Sequence, residues 1–461
     1  MTNKLTLSIL FVIAAGIAFA QQKKIPFEKY GVAEGLPEEV AVTPIQDDKG
    51  FIWFGTQNGL VKYDGYTFKV FKAASDETDS TSLQMRSLWG GLLKAKDGKI
   101  WMAGESSGIA SFDPTREQFQ NFYPAGKTNI GSNRNFSTLL FEDEPGNIWF
   151  GGGTFLDTKF TTFCLNPETG IIKEYPIAGR NITGRYLKRY GTVESYGTVW
   201  LIDEENNLQR LNRQKDSFEI MIPAGKEVVL SANADTLMQL SKGGADKLLL
   251  TGSHGLYIFD HKAEKIVKSY VHQPGNAIGI ADSVIYAVED LNGQIWVMHR
   301  QGTISLVNPV TDKIQTFTYG SNSIPYQTGI EEVSNFLFIG QDNQGIWFQA
   351  YLGFQSTTFF IHYQFANKTF SLYDYNFNLT GNPLPQYSYP YEYFQDRTGL
   401  MWLGTRPGLY KQAPKKQQMD LFRYREDDPG CLPSDSIRYL FEDSQKRNVG
   451  RYDQRLGIVP T

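Results

Sequence analysis

The chain has 461 residues, of which 41% are hydrophobic and 14% aromatic, and its formal net charge is −4. This length exceeds what one small core needs and predicts either a single large ring or several domains. The weakly acidic charge, without any cluster of Lys and Arg, argues against a nucleic-acid-binding surface. The many Tyr and Phe residues favour β-sheet.

The chain begins with the pattern of a secretory signal. Lys4 supplies a positive charge, Leu5 to Ile17 is apolar, and Ala18-Phe19-Ala20 matches a small-residue cleavage site. A membrane anchor is the alternative, but the apolar run is short for one. We therefore predict that residues 1–20 are a signal peptide cleaved after Ala20, that the protein is exported, and that the chain beyond has no membrane span.

An internal repeat with a period of about 50 residues organises the rest of the chain. Its core is an apolar residue followed by Trp, a short apolar stretch and then Gly-Leu or Gly-Ile, as in Ile52-Trp53-Phe54-Gly55 and Gly59-Leu60. Eight copies are centred on Trp53, Trp101, Trp149, Trp200, Leu249, Trp296, Trp347 and Trp402. In four copies Asp lies six residues before the Trp and Gly lies three before it, which predicts a turn there.

Each copy divides into four short strands. In the first copy these are predicted at 40–46, 51–56, 60–63 and 66–71, with Asp64-Gly65 as a hairpin turn. Four strands per repeat predict an all-β fold, a β-propeller in which each blade covers its neighbour. We expect seven repeats to close a first propeller over 25–375, with 25–30 as an outer strand of the last blade, and 376–448 to start a second, incomplete propeller. A single ring of eight blades is the alternative.

The repeat closely resembles that of the two-component regulator propeller family. The resemblance rests on Glu34-Gly35-Leu36-Pro37, on 45–47, on 50–60 and on Tyr63-Asp64-Gly65, and at the level of the repeat it extends over nearly all of 26–445. It implies the periplasmic sensor region of hybrid two-component histidine kinases, many of which sense breakdown products of polysaccharides. In that family two seven-bladed propellers precede an immunoglobulin-like domain, a membrane helix and an output domain, and we recognise only the repeats in this chain.

The sequence shows no catalytic motif. Gly126-Lys127-Thr128 lacks the first Gly of a phosphate-binding loop, because position 121 is Asn121. No two histidines have the spacing of a metal site; they are His254, His261, His272, His299 and His362. We therefore predict no enzyme activity, no metal and no cofactor. A propeller-fold polysaccharide lyase or glycosidase is the alternative, because acids from different blades can meet near the axis.

Aromatic residues offer the candidate contacts with a ligand. The repeat Trp residues lie within strands and are predicted to fill the core between blades. Trp89 lies outside the repeat register and is the better candidate for an exposed contact, but the sequence assigns no ligand-binding residue. The segment 351–394, rich in Phe and Tyr, is either a docking loop or longer outer strands. The two cysteines, Cys164 and Cys431, are expected to be buried thiols, and a disulfide bond between them is the alternative.

Residues 432–443 match the beginning of a ninth copy of the repeat. The repeat spacing predicts a Trp near position 449, where the sequence has Val449. Residues 449–461 do not fit the repeat, and we interpret them as a frameshifted tail and the chain as a fragment without its output domains. The resemblance implies a periplasmic ligand-sensing propeller whose ligand is a small saccharide. A contact with a second propeller or a second copy is a further possibility.

Overall fold

The structure is a computed structural model of the whole chain. It describes residues 27–72, 81–85, 87–106, 108–125, 135–154, 160–179, 192–195, 197–203, 207–223, 239–244, 246–252, 255–272, 279–324, 332–341, 344–351, 359–374, 390–405, 408–412, 438–442, 448–451 and 456–458. The signal peptide predicted at 1–20 lies outside these residues.

The chain forms eight antiparallel sheets of four strands each, in which consecutive strands pair. Blades 1 to 3 contain β2–β5 (Val42–Gln46, Ile52–Gly55, Gly59–Tyr63, Phe68–Lys72), β6–β9 (Leu92–Lys94, Ile100–Ala103, Ile109–Asp113, Gln118–Phe122) and β10–β13 (Asn135–Glu142, Ile148–Thr154, Phe160–Leu165, Ile172–Gly179). Blades 4 and 5 contain β14–β17 (Thr192–Ser195, Thr198–Ile202, Leu208–Asn212, Ser217–Ile222) and β18–β21 (Gln239–Lys242, Lys247–Gly252, Gly255–Asp260, Lys265–Val271).

Blades 6 and 7 contain β22–β25 (Val284–Glu289, Ile295–His299, Thr303–Asn308, Lys313–Thr318) and β26–β29 (Asn335–Gln341, Gly345–Tyr351, Phe359–Gln364, Thr369–Asp374). Blade 8 contains β30–β32 (Pro390–Gln395, Met401–Thr405, Gly408–Gln412) and, as its outermost strand, β1 (Phe27–Tyr30). Within the described residues the only helix is a 3-10 turn at Val32–Glu34. The predicted all-β propeller fold is confirmed.

The first strand of each blade contacts the preceding blade around an axis, and β2 of blade 1 contacts β30 of blade 8. The ring therefore has eight blades, and the prediction that seven copies would close it is wrong. The N-terminal strand does complete the last blade, but it pairs with the eighth copy, with Phe27 opposite Gln412 and Tyr30 opposite Leu409. The expected division of the chain near residue 375 fails because blade 8 belongs to this ring.

The hydrophobic core lies between blades, as the repeat predicted. Trp53 of blade 1 packs on Phe112 of blade 2, with 5.4 Å between ring centroids, and both belong to one buried cluster. Six repeat Trp residues are at most 2% exposed; they are Trp53, Trp101, Trp149, Trp200, Trp296 and Trp402. Each blade thus fills the wedge that the next blade leaves open.

The turn between the first and second strands is held by the Asp that the repeat places before its Trp. In blade 6, Asp290 Oδ1 accepts the backbone N–H groups of Asn292 at 2.8 Å and Gln294 at 3.0 Å, while Oδ2 accepts Trp296 Nε1–H at 2.8 Å. Blades 1, 3 and 8 repeat the Asp–Trp bond at Asp47–Trp53, Asp143–Trp149 and Asp396–Trp402. These aspartates are buried, so one short side chain satisfies the turn and anchors the indole.

A separate unit, 414–461, contains a three-stranded sheet of β33–β35 (Tyr439–Glu442, Asn448–Arg451, Leu456–Ile458). The tail at 449–461, whose sequence does not fit the repeat, contributes residues to β34 and β35. Phe441 pairs with Val449, just as Phe141 pairs with Trp149, so Val449 occupies the register position forecast for Trp.

The aromatic segment 351–394 is partly explained by outer strands, because 359–374 forms β28 and β29 of blade 7. A docking loop would fall mainly on 352–358 and 375–389, outside the described residues.

Candidate ligand-binding face

The two faces of the ring differ in their connections. Because neighbouring strands are antiparallel, the turns between first and second strands and between third and fourth strands lie on one face, here called the turn face. The connections between second and third strands, and those from one blade to the next, lie on the opposite face, here called the loop face. Turns on the turn face are short, such as 47–51 and 64–67, whereas inter-blade connections include 73–91 and 319–334.

The turn face is joined from blade to blade close to the axis. At the end of several first strands, a side-chain oxygen accepts a backbone N–H from the turn of the preceding blade. Gln46 accepts from Arg397 at 2.9 Å, Glu142 from Lys96 at 2.8 Å, and Gln341 from Leu291 at 3.0 Å; Glu289 and Gly244 form the same contact. Each of these bonds uses one backbone N–H of a turn to join two neighbouring blades.

The outer rim of the turn face is joined as well. Tyr270 of blade 5 donates its hydroxyl to Asp312 of blade 6 at 2.6 Å, and Lys268 forms an ion pair with the same carboxylate at 2.6 Å. Burial raises the pKa of Tyr270, and the bond from Lys268 lowers the pKa of Asp312. Tyr175 and Asp216 join blades 3 and 4 in the same way at 2.8 Å.

On the loop face, Trp89 lies where three blades meet. It immediately follows Leu88, whose N–H donates to Thr56 O of blade 1 at 2.9 Å. It precedes Gly90, whose carbonyl accepts Leu139 N–H of blade 3 at 2.9 Å. Trp89 therefore lies at the start of the innermost strand of blade 2, beside the axis, and it is partly exposed.

The neighbouring backbone is well bonded and presents polar residues. Ser87 N–H donates to Gln57 O at 2.8 Å, and Ser87 O accepts Glu105 N–H at 3.3 Å. Gln57 and Ser87 are partly exposed, and Glu105 is exposed. The structure therefore brings the one Trp that the sequence singled out together with Gln57, Ser87 and Glu105, three residues that sequence reasoning did not identify. No motif links these residues, because two belong to turns of different blades.

The histidines do not form a metal site within the part of the chain that the structure describes, where no three His, Cys, Asp or Glu side chains cluster. His299 is fully buried: its Nδ1 donates to Asp282 O at 3.1 Å, and its Nε2 lies 2.9 Å from Ser305 Oγ. Because Nδ1 must carry the proton for a carbonyl partner, Ser305 donates to Nε2. Burial lowers the pKa of His299 to about 4.

The other predicted features are divided between described and undescribed residues. His362 stacks on Trp347 with 4.0 Å between ring centroids, and His261 contacts Asp246 at 3.2 Å. Cys164 is a free thiol whose burial raises its pKa to about 12. His254, Cys431 and Gly126-Lys127-Thr128 lie outside the described residues. Among the described helices, none has the length and apolar character needed to cross a membrane.

Comparison with known proteins returns two-component proteins and other propellers. No protein-family model matches the chain. The histidine kinase P4 of Formosa agariphila is 36% identical over 75 residues, which are 16% of this chain and 5% of that kinase. Among solved structures, the chain is similar to the extracellular domain of the putative hybrid two component system BT4673 from B. thetaiotaomicron, with 13% identity, a TM-score of 0.30, and coverage of 92% of this chain and 64% of that one.

A streptogramin B lyase is also similar, with 13% identity, a TM-score of 0.45, and coverage of 84% of this chain and 96% of that one. The structures similar to this chain thus include an extracellular domain of a putative hybrid two component system and a lyase. The chain spans less than two thirds of the BT4673 domain, and the matched stretch is a small fraction of the kinase.

Proposed function

We propose that this chain is the ligand-binding propeller of an exported sensor and that it binds a small saccharide on its loop face without changing it. The observation that carries this proposal is the difference between the two faces. The turn face uses its polar groups to join blades, as Gln46 does with Arg397. The loop face has long connections and a partly exposed aromatic residue, Trp89, near the axis. Binding sites commonly lie in concave places where loops converge on a rigid scaffold.

Binding without turnover is tested with the full chain. We would titrate the protein with cellohexaose, xylohexaose and laminarihexaose by calorimetry, and analyse the same mixtures by chromatography after prolonged incubation. Binding of at least one oligosaccharide with no shorter product supports the proposal, and no binding of any of them contradicts it. Cleavage that a single Asp or Glu substitution abolishes would instead support the lyase or glycosidase alternative.

Export is the second part of the proposal and rests on the signal pattern at 1–20. The expected mature N-terminus is Gln21, in the periplasm, and N-terminal sequencing of the product tests it. A cytoplasmic product that retains its first residues contradicts it.

The third part is that the coding frame shifts between Asp443 and Val449. The position of Val449 opposite Phe441 supports it, because seven of the eight other copies have Trp at that position. Sequencing of the DNA across codons 443–461 and downstream tests it. If the shifted frame encodes no further repeat, immunoglobulin-like domain or kinase, this part is wrong.

A further inference from the structure

Trp89 differs from the other Trp residues in its place in the fold. The inner strand region can be compared between blades from the residue whose backbone N–H bonds to the preceding blade to the residue that lies opposite the repeat Trp. This stretch runs from Ala41 to Ile45 in blade 1 and from Ser137 to Phe141 in blade 3. In blade 2 the corresponding stretch runs from Leu88 to Leu93, one residue longer. The longer stretch forms a turn at 89–90, which moves Trp89 out of the regular ladder.

The turn is fixed by a close contact with blade 3. A Cβ at Gly90 would lie 2.0 Å from Ser137 O, so only glycine fits there. Gly90 N–H and Ala103 O bond at 3.0 Å, and Thr138 Oγ1 donates to Gly90 O at 3.1 Å. The backbone that carries Trp89 is thus held on both sides, which lowers the entropy lost when a ligand packs against the indole.

We propose that Trp89 is a stacking platform for one pyranose ring of a neutral oligosaccharide, an inference that rests on the proposed function. The C–H groups of a pyranose face form a flat apolar surface that matches an indole, while the ring hydroxyls need polar partners at the edge. Gln57, Ser87 and Glu105 supply partly or fully exposed polar groups whose backbones bond to each other next to Trp89. A few polar residues around an aromatic platform are the usual composition of a small-molecule site.

The test compares Trp89→Ala and Trp89→Phe with Tyr66→Ala in the full chain. Tyr66 is a matched control because it is 93% exposed and lies in a turn on the opposite face. Each variant is titrated with the oligosaccharide of the hexaose panel that wild type binds most tightly. We expect about thirtyfold weaker binding for Trp89→Ala, a smaller loss for Trp89→Phe, and binding within twofold of wild type for Tyr66→Ala.

Tryptophan fluorescence gives a second readout. The ligand should change the emission of wild type and of Tyr66→Ala but not that of Trp89→Phe, which keeps an aromatic ring and reports folding through the buried Trp residues. If wild type binds and Trp89→Ala binds equally well, the platform is wrong while the proposed function stands. If wild type binds no oligosaccharide of the panel, the proposed function fails and the platform fails with it.

Discussion

The carboxylate of Asp47 accepts the indole N–H of Trp53 at 2.8 Å, and both side chains are buried. The other oxygen of Asp47 accepts the backbone N–H groups of Lys49 at 3.0 Å and Phe51 at 2.9 Å. One side chain therefore links a turn to the core between two blades. Its removal should leave three donors without a partner.

Asp47→Ala should lower the free energy of unfolding by about 3 kcal/mol, because the buried indole N–H of Trp53 and two partly buried backbone N–H groups lose their acceptor. The neighbouring variant Asp48→Ala removes exposed ion pairs with Lys94 and Arg397 and should leave the unfolding midpoint close to that of wild type. Urea unfolding at pH 7 of both variants measures the difference. Equal unfolding midpoints for the two variants would show that the Asp–Trp bond contributes little to the free energy of unfolding.

Ring closure should depend on the space left by Gly408. A Cβ at Gly408 would lie 2.4 Å from Tyr30 O, whereas a Cβ at Gly59 would lie 2.2 Å from Phe71 O within blade 1. Gly408→Val should therefore detach β1 from β32, and Gly59→Val should detach β5 instead. Hydrogen exchange of 27–30 and of 68–72 distinguishes the two variants. Protection of 27–30 that survives in Gly408→Val would contradict this role of β1.

Acid should destabilise the ring through His299. Burial lowers its pKa in the folded protein from 6.5 to about 4, so between these values the unfolded chain binds more protons. Stability should therefore fall as the pH drops from about 6.5 to about 4, by about 3 kcal/mol from this residue. His299→Gln should flatten that part of the profile in urea unfolding between pH 7 and pH 4. Parallel profiles would exclude His299 as the cause.

Cys164 should be unreactive in the folded protein. Burial raises its pKa to about 12, so at pH 8 almost no thiolate is present. In a Cys431→Ser background, iodoacetamide at pH 8 should modify Cys164 far more slowly in native protein than in urea. Mass spectrometry over time measures both rates, and similar rates would contradict the burial of this thiol.

The fold class and the position of each blade were determined by local sequence. In four copies the repeat Trp, the Asp six residues before it and the Gly between them define a turn and a strand within one short segment, so the pairing of these strands can be inferred without distant contacts. The same locality explains why the burial of the repeat Trp residues was predicted. The candidate site was predicted only in part, since Trp89 was recognised by being off-register while Gln57 and Glu105 carry no such signal.

The number of blades in the ring was decided by tertiary structure alone. Ring closure pairs β1 with β32, with Tyr30 opposite Leu409, and these two strands lie at opposite ends of the ring's sequence. Every copy has a nearly equivalent third strand with which β1 can pair. Local sequence therefore cannot distinguish closure after seven copies from closure after eight. The number of blades depends on the angle between neighbouring blades, which is set by the side chains packed between them. It also depends on contacts such as that of Arg397 with Gln46, which exist only when the first and last blades meet.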